Sequence, residues 1–200
     1  KNELAMLKAQ QSALIGLCDS AQLAAVDSTY WQPYQYISAH IVQHSISKSQ
    51  NYITLDKGTV DGIMPDMGVV SSEGVVGIVK SASQHYSMVI PVINVQSRIS
   101  CRLDSSKNFG SLVWNAGDYR YAILQEVPGH VKVKVGENVS TSGFSAIFPS
   151  GIPVGKVADV SLIEENQFLE IKVQLSVDFG KLSEVHVIQF AGMDEFNALQ

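Results

Sequence analysis

The side chains able to do chemistry are few and scattered. His40 and His44 stand four residues apart. On a helix that spacing puts two imidazoles on one face, where they could share a metal ion. Ser38 to Ile46 reads as extended chain, in which four residues span roughly 13 Å. One ion cannot bridge that span with Zn–N bonds of about 2 Å. His85, His130 and His186 are isolated from one another and read as loop or surface residues. Ser142-Gly143 and Ser145, with His40 upstream and several aspartates, supply the residue types of a nucleophile, base and acid. They define an alternative reading, a two-barrel chymotrypsin-like hydrolase. Its local context is missing. Gly143 to Ile147 lacks the second glycine of a nucleophile elbow, and no Gly-Asp-Ser-Gly run occurs. The glycines from Gly68 to Gly77 form neither a GxxxxGK[ST] loop nor a GxGxxG turn opening a helix. Cys18 and Cys101 make no CxxC pair and no disulfide framework, so two free thiols are expected. The sequence therefore predicts no catalytic residue, no metal ligand and no cofactor.

Composition narrows the classes further. The 200 residues are 46% apolar and 16% charged, enough apolar material for a sizeable core. A net charge of −5 argues against a protein that grips phosphate backbones, so no nucleic-acid partner is expected. No run of about 18 apolar residues occurs, so the chain as given holds no membrane span. It opens on Lys1, inside a helical pattern and without an initiator Met, and reads as a piece of a longer protein.

Two kinds of element must carry these residues. The first 27 or so contain no Pro and one Gly, and are rich in Ala, Leu, Gln and Lys. Leu4, Leu7, Gln11, Leu14, Cys18, Ala21 and Ala25 recur at alternating spacings of three and four, the seam of a coiled coil. An amphipathic helix packed on its own domain is the competing reading. Pro33 closes the helical region. On parallel helices, Cys18 would face its own copy.

Beyond Tyr36 the period changes from 3.6 to 2. Val131–Val135 and Leu169–Val177 alternate apolar with polar residues and predict half-buried strands. Tyr52–Leu55, Arg98–Leu103, Gly110–Trp114 and Tyr119–Gln125 are further strands. Ser87–Ile93 reads as a strand covered on both faces, with Pro91 marking an edge or bulge. Regular glycines between short Val-rich runs point to small barrels or sandwiches. Met67–Val79 is echoed by Gly136–Val157: each has a strand, a Ser-Gly turn and a Val-Gly-x-Val strand. Two related barrels would produce that echo. In the loop from Thr141 to Gly155, Phe144, Ile147, Phe148 and Ile152 sit among Ser and Gly without alternation. They either plug a barrel end or form an exposed partner-binding patch.

These motifs are similar to those of one family. The run Tyr52–Val79 resembles the rod shape-determining MreC family. So does Val133–Val157, above all Thr141-Ser142-Gly143 followed by Ile147-Phe148-Pro149-x-Gly151-Ile152-Pro153-Val154-Gly155. Ser87–Arg102 resembles the segment between them. Asn94–Ser97 departs from an expected Asp-Pro-like turn, which leaves that turn's shape open. The resemblance implies an all-β fold: two small six-stranded-type barrels preceded by an N-terminal coiled-coil helix. The expected division is a helix over 1–30, a first barrel over 36–76 plus about 150–192, and a second over about 77–149. It implies a non-enzymatic scaffold at the periplasmic face of the bacterial inner membrane. A single transmembrane helix with a cytoplasmic N-terminus would precede Lys1. The implied partners are MreD, RodA, RodZ and a class B penicillin-binding transpeptidase, together with a second copy, in dimers and filaments.

If the seam pairs two chains, the double substitution Leu7→Lys with Leu14→Lys lowers the mass measured by sedimentation to that of a monomer. A mass that stays dimeric assigns the dimer to the β region instead.

Overall fold

The computed structural model describes residues 34–144, 147–163 and 167–190. The helix expected over 1–30, with its seam at Leu4, Leu7, Gln11, Leu14, Cys18 and Ala21, lies outside them. Twelve strands are described, and they close into two six-stranded antiparallel barrels. The first barrel contains β1 (Tyr34–His44), β2 (Ile53–Leu55), β3 (Gly68–Ser71), β4 (Gly74–Ala82), β5 (Ser87–Pro91) and β12 (Glu184–Phe190). The second contains β6 (Ile99–Leu103), β7 (Phe109–Val113), β8 (Tyr121–Pro128), β9 (Asn138–Thr141), β10 (Pro153–Ile163) and β11 (Phe168–Leu175). The second barrel is therefore inserted whole between β5 and β12 of the first.

Around the first barrel the order is β1-β12-β3-β4-β5-β2, and around the second β10-β11-β8-β7-β6-β9. Matching β1–β5 to β7–β11 superposes the two orders, with β12 and β6 as equivalent sixth strands. β12 lies between β1 and β3, and β6 between β7 and β9. The two barrels thus share one topology and differ in whether the sixth strand comes last or first. The echoed segments become the paired strands β3·β4 and β9·β10.

The expected boundaries are corrected by this strand order. β4 and β5 stay with the first barrel, and β10 and β11 with the second, so the crossings fall at 92–98 and 176–183. Chain-local hydrophobicity carries no record of which distant strand closes a barrel. Val131–Val135 is also not a strand. Its backbone bonds are local, from Val131 N–H to Pro128 O and from Glu137 N–H to Lys134 O. Pro91 is the last residue of β5, opposite Gly77 in a closed barrel, and not on an open edge.

Alternation explains most burial: β5, β6 and β11 bury every second side chain. β3 and the first residues of β4 are buried without alternation. Their inner face fills the first barrel, and their outer face meets the second. A Cβ on Gly68 would come within 2.6 Å of Ile147 O and of the Phe148 ring. One on Gly74 would come within 2.2 Å of Pro153 O. The crossing segments are tied down as well. Asn51 and Asn94 are fully buried; Asn51 Nδ2 donates to Ile93 O at 2.7 Å and Asn94 Nδ2 to Asn51 O at 2.6 Å. Asn94 Oδ1 accepts from Gln96 N–H at 2.9 Å, which shapes the turn after it. An Asp at 94 would have no donor for Asn51 O. In the return crossing, Asp178 N–H donates to Glu73 Oε2 at 3.1 Å, and Val177 and Phe179 are buried.

Gly68→Ala should overpack this contact and lower unfolding stability by about 1–3 kcal/mol, measured by urea denaturation. An unchanged midpoint contradicts the tight approach.

Candidate docking site

The loop from Ser142 to Gly151 connects β9 to β10, and its neck is closed by Thr141. Thr141 N–H donates to Ile152 O at 2.9 Å and Gly151 N–H to Thr141 O at 3.0 Å. The Thr141 hydroxyl donates to Pro149 O at 2.6 Å and accepts from Ile152 N–H at 2.9 Å. Gly143 and Gly151 have φ of +80° and +93°, a region in which a side chain is strained. No charged residue occurs between Asn138 and Gly155.

Within this clamp the apolar residues separate by direction. Phe148 and Ile152 are buried, Phe148 against Gly68 of the first barrel. Neither lies on the surface, and the patch reading of those two residues is corrected: Phe148 fills the contact between the barrels, and Ile152 is part of the core. Ile147 is half-buried against the core. Phe144 points out and is 67% exposed. Its ring lies 4.2 Å, centroid to centroid, from that of Phe109, which is 41% exposed. The two rings are in contact and tilted 45° to one another. Sequence reasoning missed Phe109. The signal was present: buried Leu112 fixes the inward face of β7, and alternation then places Phe109 outward.

The polar residues weighed for catalysis do not converge. His40 Nδ1 is 3.3 Å from Asp56 Oδ2 on the outside of the first barrel. Ser142 belongs to the second barrel and is buried; its hydroxyl donates to Ser100 Oγ at 2.8 Å and accepts from Phe144 N–H at 3.2 Å. Ser142 thus anchors the loop, and no imidazole contacts it. Ser145 lies outside the described residues. His40 and His44 share the extended strand β1. Among the described residues no three His, Cys, Asp or Glu side chains are grouped to hold a metal ion. Cys101 is fully buried in β6, and burial pushes its thiol far above the ordinary range, so it is unreactive when folded. Among those residues no helix is long and apolar enough to cross a membrane. What the site offers is an exposed, uncharged aromatic pair beside a loop whose two ends are joined by hydrogen bonds. That is equipment for binding.

Comparisons with known proteins agree on one family. The barrel-core model of the rod shape-determining protein MreC family matches residues 41–189. The cell shape-determining protein MreC of Listeria monocytogenes is 26% identical over 159 residues, covering 78% of this chain and 54% of that protein. The chain thus spans about half the length of that relative. A solved MreC structure from Listeria monocytogenes has a TM-score of 0.74 at 24% identity, covering 95% of this chain and 92% of that one. A complex between penicillin-binding protein PBP2 and MreC from Helicobacter pylori contains a chain with a TM-score of 0.65 at 15% identity, covering 78% of this chain and 98% of that one.

The opposed directions of the two loop phenylalanines give a measurable contrast. Phe148→Ala should cost about 3–5 kcal/mol of unfolding stability. Phe144→Ala should cost no more than about 1 kcal/mol. Equal losses in urea melts contradict the assignment of one ring to the core and the other to the surface.

Proposed function

The chain belongs to the rod shape-determining MreC family, and on that premise we propose that it is a non-enzymatic scaffold of the cell-elongation machinery. It controls cell shape by binding and positioning peptidoglycan synthases. The observation that carries this reading is the Phe144–Phe109 pair, held outward by a loop whose opposite side is locked to the first barrel. The MreC–PBP2 complex from Helicobacter pylori supports a class B penicillin-binding transpeptidase as the partner. Phe144, Phe109 and the exposed part of Ile147 form the proposed contact.

The proposed mechanism is mechanical. Aromatic rings have few rotatable bonds for their area, so they lose little conformational entropy on docking and their burial is retained as affinity. A partner held in one orientation has its conformational equilibrium biased toward the state that fits, and no bond is made or broken by the scaffold. In this reading the β body works at the periplasmic face of the inner membrane. It is carried by the helix over 1–30 as a homodimer that extends into filaments, on a single transmembrane helix with a cytoplasmic N-terminus. MreD, RodA and RodZ complete the proposed set of partners, with no cofactor and no nucleic acid.

Phe144→Asp tests the surface. Biolayer interferometry against the transpeptidase should show Kd raised at least about tenfold, equivalent to about 1.4 kcal/mol, with Tm unchanged. Unaltered affinity removes Phe144 from the interface. No detectable binding by the wild-type chain contradicts the scaffold itself.

A further inference from the structure

The chain has three arginines, and two of them hold a carboxylate. Arg98 Nη1 lies 3.8 Å from Glu126 Oε1, and Arg120 grips both oxygens of Asp118 through Nε and Nη2. Arg102 holds none. Its Nε is sealed from water without an acceptor, and its guanidinium makes no hydrogen bond or ion pair with any described residue. A sealed donor left unpaired is costly and asks for an explanation. The acidic residues beside it in the sheet are engaged elsewhere. Asp104, two residues further along the chain, accepts from the Ser140 hydroxyl at 2.6 Å. Glu137, one residue before β9, accepts from Ser105 and Ser106 N–H at 2.9 and 3.2 Å.

The position of Arg102 supplies the explanation. Buried Cys101 and Leu103 fix the inward face of β6, so Arg102 points outward. It is half-buried, and part of the side chain reaches solvent. It stands directly opposite Phe109 in the β6·β7 register and opposite Ser140 in the β6·β9 register. Directly opposed residues share a face, with Cβ atoms about 5 Å apart. Arg102 therefore lies in the same outward surface as Phe109, whose ring meets that of Phe144. The aromatic pair and the unpartnered guanidinium are one surface.

We propose that Arg102 determines which segment this surface accepts: the docked segment of the transpeptidase carries an Asp or Glu side chain that pairs with the guanidinium, while apolar residues beside it cover Phe109 and Phe144. This rests on the Phe144–Phe109 pair being the transpeptidase contact, and it adds the charge that the partner must present. The planar fork of an arginine matches the two oxygens of a carboxylate. Rings at its flank exclude water, so the pair is screened less than an exposed one. A segment with a neutral or basic residue at that place would cover Arg102 and leave it unpaired, which disfavours that segment.

Biolayer interferometry against the transpeptidase tests this with Arg102→Gln, which keeps most of the stem and removes the charge. At about 50 mM NaCl, Kd should rise at least about tenfold, and the gap to the wild type should narrow at about 500 mM. Tm should stay unchanged. Arg102→Lys keeps the charge without the fork and should fall between the two. In its complex, a water-soluble carbodiimide should couple the introduced amine to a partner carboxyl as an amide. Peptide mass spectrometry should then place the link on an Asp or Glu of the transpeptidase. Wild-type affinity in Arg102→Gln overturns the proposal and leaves the docking reading standing. So does a loss of equal size at both salt concentrations, which would give Arg102 a packing role only. Should Arg102→Gln melt early, the crosslink decides: no link through position 102 in a complex that still forms overturns the proposal. Absence of binding by the wild-type chain removes the docking reading and this proposal together.

Discussion

Everything distinctive in this β region depends on two places where the first barrel presents no side chain. At Gly68 and Gly74 the backbone of β3 and β4 is bare, and the second barrel settles directly on it through Ile147, Phe148 and Pro153. A methyl group at either position would sit closer to those atoms than packing allows. The contact makes the outer face of β3 part of a core, which is why that strand shows no alternation. It also anchors the loop at Ile147 and Phe148, which form the seal between the barrels.

That double use of one loop links fold to function. Phe148 spends its area inward, where burial of a phenylalanine stabilises by about 2–3 kcal/mol. Phe144, four residues earlier, is left outward against Phe109. A docking ring on a free loop would lose conformational freedom on binding. Here Thr141 and Ser142 tie down the two ends of the loop by hydrogen bonds. Phe144 N–H is bonded to the Ser142 hydroxyl, and its ring rests against Phe109.

How much of this was legible in the sequence depended on distance along the chain. The all-β class, the strand expected over Leu169–Val177 (observed as β11, Phe168–Leu175) and the strand-turn-strand character of the echoed segments follow from local alternation and turn glycines. The echo was informative because β3·β4 and β9·β10 hold equivalent places in barrels of one topology. Val131–Val135 shows the limit. Its alternation is that of a strand, but β8 already has β7 and β11 as neighbours, and Val135 is left 69% exposed in a turn. The barrel boundaries were misplaced because nothing local to β10 says that it closes with β9 and not with a strand of the first barrel. In the 142–151 loop, Phe144 and Phe148 look alike in sequence. Only the bare surface at Gly68, 80 residues away, sorts them.

The central claim is that the two barrels behave as one body, so that a partner bound to one is held by both. Differential scanning calorimetry of the β region within the chain tests it most directly. The account predicts a single unfolding transition for both barrels, with calorimetric and van't Hoff enthalpies equal. Two separable β transitions, or a van't Hoff enthalpy near half the calorimetric value, would contradict it.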